Sequence, residues 1–386
     1  MMVHIYDKHT EQNAFDSNGI AIINPKSATL TEELNGRYDY ELTAVCDPND
    51  DSWRALRVYN IIKSPSTGQL FMIYKVKYTS QGGYPSVTAY ANHIWYYLAD
   101  MFTKEAHDTR AMVYAVGHLF TDRWLDPNGA TYFSHGNGLT EYTFTYDTSD
   151  YSSGTDDMRR YDFDNVSLAY ALLGSPDSIV NIWNAELHRD NFSFAIRKPK
   201  STDNIDFAFE HGVNCNDITF TDDYSDRITE LQVFDNYGHF QWLSFVPDAG
   251  TFPHQVHVGL QLSYDKDDGD KFHDDYSDYW NNYCHSTQSW EISFVDPAGT
   301  DHYAGWSGSD IQIGDICSVR DAVGNSGVQK VVSRKINDVT GRVESIKLGR
   351  FVNSAGHLMK YNRIISGDDA SYRRIKALEN KVNNNP

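Results

Sequence analysis

Cysteine is scarce in this chain of 386 residues, and the four that occur, Cys46, Cys215, Cys284 and Cys317, are scattered. No two of them form a C-x-x-C pair, which argues against a disulfide scaffold and against a structural zinc site. We therefore expect reduced thiols in a protein made in the cytoplasm, and we predict no metal site and no cofactor.

Long apolar runs are also missing. No window approaches the about 18 continuous apolar residues that a helix needs to cross a bilayer. The opening residues 1–8 lack the apolar centre of a secretion signal. We therefore expect neither a membrane span nor a signal peptide.

Basic residues are few, because 33 Lys and Arg face 53 Asp and Glu, which gives a formal net charge of −20. Cations that neutralise phosphates supply much of the affinity for nucleic acids, so this balance argues against a general nucleic-acid binder. It also argues against attachment to anionic membranes by charge. Hydrophobic residues are 40% and aromatic residues 14% of the chain, enough for a packed core, which excludes a disordered acidic chain.

The length predicts two or three domains at roughly 100–200 residues each, and turn and strand signals predict a mainly β protein. Asn35-Gly36 is the dipeptide most typical of tight hairpins, and Tyr38, Tyr40 and Leu42 follow it with the period of a half-buried strand. Similar segments recur at regular spacing over the first hundred residues. This spacing favours a small barrel or a sandwich.

The middle of the chain has a different pattern. Ile94, Leu98 and Met101 have the spacing of one buried helix face, and residues 109–120 predict a second helix. Alternating strands follow these segments. The middle region is therefore predicted to be α+β.

Residues 264–290 interleave aspartates with aromatic side chains. Clustered carboxylates suit a hard cation such as calcium, although the spacing fails the EF-hand pattern. Aromatic faces beside carboxylates also suit a sugar, and a solvated loop with aromatic anchors fits the same composition without any ligand. The residues that a glycan or an ion would contact here are Asp265, Asp267, Asp268, Trp280 and Trp290.

Catalytic motifs are not found in the sequence. It contains no H-E-x-x-H pattern, and residues 305–309 do not fit the G-x-S-x-G turn of a serine nucleophile. We therefore predict no catalytic residue. A chain of this length without a recognisable site favours a structural role.

Seven segments, taken in their order along the chain, resemble one protein family. Residues 28–42 combine an acid-rich stretch, Asn-Gly and alternating aromatic, acidic and leucine residues, and residues 182–192 contain Trp183, Glu186 and Arg189. The remaining segments are residues 88–98, 211–218, 226–229, 313–319 and 346–349. Together they resemble the baseplate hub proteins of long-tailed phages, known as tail-associated lysins, prophage tail endopeptidases or phage minor structural proteins. The N-terminal region of that family is similar to the central hub protein of the phage T4 baseplate.

This resemblance implies a multidomain phage tail hub with two small β-barrel domains. The first barrel would span residues 1–98, and the second would be split between residues 212–238 and 302–352. An α+β domain would occupy residues 99–211. An inserted loop-rich domain would span residues 239–301, and a C-terminal segment with helix-like spacing would span residues 353–386.

The resemblance also implies a function. The chain would be a non-enzymatic hub at the distal tip of the virion tail, synthesised in the host cytoplasm and assembled as a homotrimer. Two barrels per chain would form a pseudo-sixfold ring that closes the tail tube and opens for phage DNA, which passes without tight binding. The implied partners are the distal tail protein, the tape-measure protein, receptor-binding proteins and the host cell envelope.

Two alternatives stay open at this point. The acidic and aromatic segment also fits a cell-wall or carbohydrate-active enzyme, or a glycan-binding tail module.

Longer members of the family carry a lytic module after the hub region, which this chain lacks. We expect either a natural short form or a truncation.

Overall fold

The structure is a computed structural model. It describes residues 1–80, 83–101, 103, 105–121, 142–154, 158–164, 166–175, 178–215, 217–225, 227–235, 240–244, 257–262, 280, 284, 286–293 and 311–349. Across those ranges no helix combines the length and the apolar character that a membrane crossing requires. Strands dominate, and most of them belong to one large sheet.

The strands are numbered in chain order. They are β1 (Val3–Tyr6), β2 (Ala21–Ile23), β3 (Ser27–Glu33), β4 (Tyr38–Val45), β5 (Ile61–Lys63), β6 (Leu70–Thr79), β7 (Ser86–His93), β8 (Glu105–Ala111), β9 (Thr145–Asp147), β10 (Met158–Asp164), β11 (Glu186–Asp190), β12 (Ser193–Arg197), β13 (Phe207–Glu210), β14 (Asp217–Asp223), β15 (Glu230–Asp235), β16 (Phe240–Ser244), β17 (His257–Leu262), β18 (Thr287–Ser293), β19 (Ile316–Arg320), β20 (Ser326–Asn337) and β21 (Arg342–Gly349).

The large sheet joins both ends of the chain. Its strand order is β14-β18-β21-β20-β3-β4-β7-β6-β5-β1-β2, and β19 extends it beside β20 and β13. Every neighbouring pair from β14 to β6 is antiparallel. The predicted alternation in β4 is present, because Tyr38, Tyr40, Leu42 and Ala44 are buried and the residues between them are not.

The middle region carries the helices. Strand β8 pairs with β10, and β11 pairs with β12, which continues to β9. Helix α1 (Met112–Thr121) packs Met112, Ala115, Val116 and Leu119 into the core, and a short helix, α2 (Ile179–Ile182), follows later in the chain. Helix α1 begins later than predicted because residues 109–111 continue β8 opposite β10. The stripe at residues 94–101 forms a 3₁₀ helix, Ile94–Asp100.

The prediction of a mainly β fold with an α+β part is confirmed. Within the described residues the sheets are open and none closes into a barrel. Closure of the predicted first barrel, residues 1–98, would need the edge of β3 that β20 occupies. Strand β18 lies inside the predicted insert, residues 239–301, yet pairs with β14 and β21. The division into domains otherwise stays a prediction, and residues 353–386 lie outside the described residues.

A buried carboxylate fixes the last strands to the first. Asp338 follows β20, has no exposed surface, and accepts hydrogen bonds from the hydroxyls of Tyr40, Ser64 and Ser66 and from the Ser66 backbone N–H at 3.1 Å. These donors replace the water that the carboxylate loses on burial. Burial and the nearby Asp338 raise the pKa of Tyr40, so its hydroxyl remains a donor.

Replacing this carboxylate should destabilise the protein. In Asp338→Ala the three hydroxyls and the N–H lose a buried acceptor, and we expect a loss of about 2–4 kcal/mol in the free energy of unfolding, measured in urea. Asp16→Ala is the control, because the Asp16 side chain is 99% exposed and its loss should cost no more than about 0.5 kcal/mol. Equal losses in the two variants would contradict the role assigned to Asp338.

Candidate functional site

The eight strands from β14 to β6 have one apolar and one polar face. Residues directly opposite each other on neighbouring strands lie on the same face, so the strand registers define both faces. The polar face, a name kept below, carries Asp217, Thr219, Thr221, Asp223, Ser289, Glu291, Ser345, Lys347, Ser333, Lys335, Thr29, Thr31, Glu33, Asp39, Glu41, Thr43, Thr88, Tyr90, Lys75 and Lys77. It runs across all eight strands.

Several cations of the polar face are already engaged. Lys335 pairs with Glu344 at 3.0 Å, and Lys347 lies 3.6 Å from Glu291 on the neighbouring strand. The Lys75 ammonium lies 3.9 Å from the centre of the Tyr90 ring. An anionic polymer on this face would therefore meet serine, threonine and acidic side chains more often than unpaired cations.

The hairpin between β3 and β4 is held from the middle region. Asn35 has φ +48°, a left-handed conformation that asparagine tolerates better than most residues. Its side chain donates to Ala185 O and accepts from Leu187 N–H, both at 2.8 Å. The buried Arg189 guanidinium donates to Gly36 O at 2.7 Å and to Glu33 O at 2.9 Å.

Aromatic rings surround that guanidinium. Arg189 is 7% exposed and lies 5.2 Å from the Tyr38 ring centre, 5.9 Å from that of Trp95 and 5.7 Å from that of Tyr96. Arg189 also donates to the Tyr96 hydroxyl at 3.0 Å. Burial raises the pKa of Tyr96 to about 12, although Arg189 acts in the opposite direction. Ring faces and carbonyl oxygens thus stabilise the buried cation.

His93 and Gln69 extend the hydrogen-bonded contact between the hairpin and the middle region. The His93 ring stacks on Tyr38 at 4.5 Å, accepts from Trp95 N–H through Nδ1, and bonds Gln69 Oε1 through Nε2. Gln69 Oε1 also accepts from Asn191 N–H at 3.0 Å. Burial, and then the positive Arg189, hold the pKa of His93 well below its usual range. His93 is therefore a neutral ring with its proton on Nε2.

A cavity of about 420 Å³ lies where the first strands, the middle region and the last strands meet, and Tyr38, Gln69 and Arg189 contribute to its lining. Its wall also contains the ion pair between Arg334 and Glu32 at 2.7 Å. Burial alone would lower the pKa of Arg334, but the Glu32 carboxylate raises it. Because the charged groups of Arg189, Arg334 and Glu32 make structural bonds, they are poorly placed to act as an acid, a base or a nucleophile. Among the described residues no cluster of His, Cys, Asp and Glu could hold a metal ion.

The residues singled out for a glycan or an ion are spread between two environments. Trp290 is 2% exposed and packs on Phe220 at 4.4 Å between ring centres, so it serves the sheet core. Trp280 is half-buried, and its carbonyl accepts from Cys284 N–H at 2.8 Å. Asp265, Asp267 and Asp268 lie outside the described residues. The glycan or ion contact of this segment stays a prediction.

The cysteines show no sign of a reactive thiol. No two of the four form a disulfide, and Cys215 and Cys317 are buried. Burial raises the pKa of Cys215 and of Cys317 to about 12, which keeps both thiols protonated at neutral pH.

The neutral His93 predicts a specific pH dependence. Its folded pKa lies below the unfolded value of about 6.5, so below that pH the unfolded state takes up a proton that the folded state does not. The free energy of unfolding should therefore fall from pH 6.5 downwards, by up to about 1.4 kcal/mol per pH unit. In His93→Gln that part of the slope should be missing.

Urea denaturation at pH 7.5, 6.5 and 5.5 measures both slopes. His9→Gln is the matched control, because His9 is exposed and its loss should leave the slope of the parent chain unchanged. A His93→Gln slope identical to that of the parent chain would show that His93 is not held neutral.

Residues 5–93 match the family model of the prophage endopeptidase tail N-terminal domain. No match was found among curated protein sequences. The fold is similar to that of prophage tail protein gp18 from Listeria monocytogenes, with a TM-score of 0.60, 12% identity, and coverage of 93% of this chain and 97% of the other.

Two further solved structures have the same fold. A tail protein from Neisseria meningitidis gives a TM-score of 0.56 at 9% identity, covering 92% of this chain and 98% of its own. The 43 kDa tail protein of prophage MuSo2 from Shewanella oneidensis gives 0.57 at 10% identity, covering 88% and 97%. The resemblance predicted from the sequence is therefore confirmed: residues 5–93 match the model of a prophage tail N-terminal domain, and the chain is similar in fold to phage tail proteins.

Proposed function

We propose that the chain is a non-enzymatic structural protein of a phage tail, in which three copies form a hub ring at the tail tip. The observation that carries this proposal is the composition of the eight-stranded run. Four strands from the end of the chain, β14-β18-β21-β20, lie beside four from its beginning, β3-β4-β7-β6. Both sets turn one polar face away from the core.

Two similar sets of strands in one chain suit a change of symmetry. Three copies would present six four-stranded sets, which matches the sixfold tail tube above such a ring. The tail-protein fold of the relatives supports the same assignment. The protein would then lie in the virion tail after synthesis in the host cytoplasm.

The polar face would line the channel of this ring. Its side chains are serine, threonine, acidic residues and lysines of which several are engaged, and the whole chain has a net charge of −20. DNA phosphates gain affinity by releasing counterions to free cations, and this wall offers few of them. DNA would therefore pass without tight binding.

Solution mass tests the ring. Light scattering on the chain, alone and with its distal tail protein, should give three times the 44.0 kDa of one chain. Double-stranded DNA titrated into the same sample at physiological salt should not bind. A chain that stays monomeric under both conditions, or that binds DNA tightly, would refute this function.

The remaining parts of the proposal concern partners. The ring would contact the distal tail protein and the tape-measure protein on the tube side, and receptor-binding proteins and the host envelope on the other. Co-purification with each tail protein tests these contacts one at a time. A cell-wall turnover assay tests the enzyme alternative, for which we expect no product.

Glycan binding is a second candidate, favoured by one observation on the sheet of β15, β16 and β17. Phe234 lies directly opposite Phe240, and Trp242 shares their face; the three side chains are 39%, 59% and 50% exposed. Exposed rings on one sheet face are suited to stacking on a sugar. The sheet lies partly within the predicted insert.

Titration of host cell-wall fragments tests that face. If it binds glycan, Trp242→Ala should weaken binding by about tenfold, since loss of one stacking contact costs about 1–2 kcal/mol. Trp53→Ala is the control, because Trp53 lies outside the sheet of β15, β16 and β17 and its ring lies 6.5 Å from that of Tyr78. No binding by the parent chain would remove this candidate.

A further inference from the structure

The cavity of about 420 Å³ has room for a small molecule and lies between parts of the chain that are distant in sequence. Its wall is formed by the hairpin of β3 and β4, the turn before β6, strand β11 and the last strands. Sites for small molecules in proteins measure about 300–1,000 Å³. The volume therefore lies at the lower end of that range, which favours a small ligand.

Arg189 brings to this wall a buried cation that has no carboxylate partner. A guanidinium has five N–H donors, and three of those in Arg189 bond Gly36 O, Glu33 O and the Tyr96 hydroxyl, which are all neutral. The Nε–H has no acceptor among the described residues, and one N–H group on Nη2 is also left. Burial of a charge is costly unless an opposite charge accompanies it, so the wall favours an anion.

Arg334 in the same wall is compensated, in contrast to Arg189. Its Nε and Nη2 both lie 2.7 Å from the Glu32 carboxylate. Its Nη1 donates to Ile311 O at 3.0 Å and to Gln312 Oε1 at 2.8 Å. The Glu32 charge is therefore used by Arg334, and the positive charge of Arg189 is left without a counter-ion on the buried part of the wall.

The rest of the lining combines half-buried polar groups with aliphatic side chains. The polar residues are Ser66, Thr67 and His188, and the buried aliphatic residues are Ile313, Ile336 and Val343. The other acid of the lining, Asp190, is exposed, and its Oδ1 accepts from Gln69 Nε2 at 2.8 Å. Water and salt screen an exposed charge more than a buried one, so Asp190 offsets the charge of Arg189 only in part.

We propose that this cavity binds a small hydroxy-carboxylate, with the carboxylate beside the Arg189 guanidinium. The carboxylate supplies the missing negative charge and accepts from the N–H group that is left on Nη2. Hydroxyl groups of the ligand bond the polar part of the lining, and its carbon skeleton packs on the aliphatic part. This site does not depend on the proposed ring, so a single chain in solution is enough to test it.

Titration calorimetry on the full chain tests the site with D-glucuronate and L-lactate, and with D-glucose as the uncharged counterpart of glucuronate. We expect one glucuronate bound per chain and no binding of glucose. Glucuronate should also raise the midpoint of thermal unfolding, because a ligand that binds only the folded state stabilises it. A parent chain that binds neither carboxylate, or that binds glucose as tightly as glucuronate, would overturn the proposal.

The variant Gln312→Glu tests whether the carboxylate binds in this cavity. Gln312 is exposed in the lining, and a glutamate oxygen can still accept from Arg334. The added negative charge should weaken glucuronate binding by about tenfold. Gln241→Glu is the matched control, because Gln241 is exposed on β16 and lies outside the lining. Unchanged affinity in Gln312→Glu, or an equal loss in both variants, would contradict the site.

Two substitutions of Arg189 test the cation itself. Arg189→Gln removes the charge and should weaken glucuronate binding by about a hundredfold, whereas Arg189→Lys keeps the charge and should lose about tenfold. Circular dichroism checks that both variants are folded. A folded Arg189→Gln that binds glucuronate like the parent chain would overturn the proposal. If Arg189→Gln does not fold, the comparison of Gln312→Glu with Gln241→Glu decides.

Discussion

The pairing of β3 with β20 is the constraint on which the architecture depends. It joins Thr29 to Asn337 and Glu33 to Ser333, so strands about three hundred residues apart become neighbours in one sheet. The Arg334–Glu32 ion pair and the Asp338 carboxylate bound by Tyr40 lie at this seam. Because β20 fills the open side of β3, the first strands do not close on themselves, and one sheet runs from β14 to β2.

Hydrogen bonds from the middle region hold this sheet in place. Arg189 donates to the hairpin at Gly36 O, and the hairpin residue Asn35 bonds Ala185 and Leu187. Asn191 accepts from Leu70 N–H at the start of β6. These contacts are directional bonds between buried polar groups, which fix one relative position where an apolar contact would permit several. The His93 proton belongs to the same network.

Sequence patterns predicted the local structure better than its connections. Asn35-Gly36 and the alternation after it predicted a hairpin that is present. The segment around Trp183 and Arg189 includes the arginine that bonds this hairpin, but its sequence did not reveal that partner. Asp338 carried no signal, since a lone aspartate after a strand usually faces solvent. The neighbours of each strand could not be predicted, because the pairing of β3 with β20 joins residues about three hundred positions apart. Trp290 shows the converse: the sequence offers it as a contact for a glycan or an ion, and the sheet buries it.

The polar groups of this molecule have two different tasks. Those buried at the hairpin of β3 and β4, such as Arg189 and Arg334, make structural bonds that hold the sheet to the middle region and to the last strands. Those on the polar face lie along the strands without joining one element to a distant one. Of the lysines on the polar face, Lys335, Lys347 and Lys75 are engaged by Glu344, Glu291 and the Tyr90 ring, so serine, threonine and acidic side chains set the chemistry of that face.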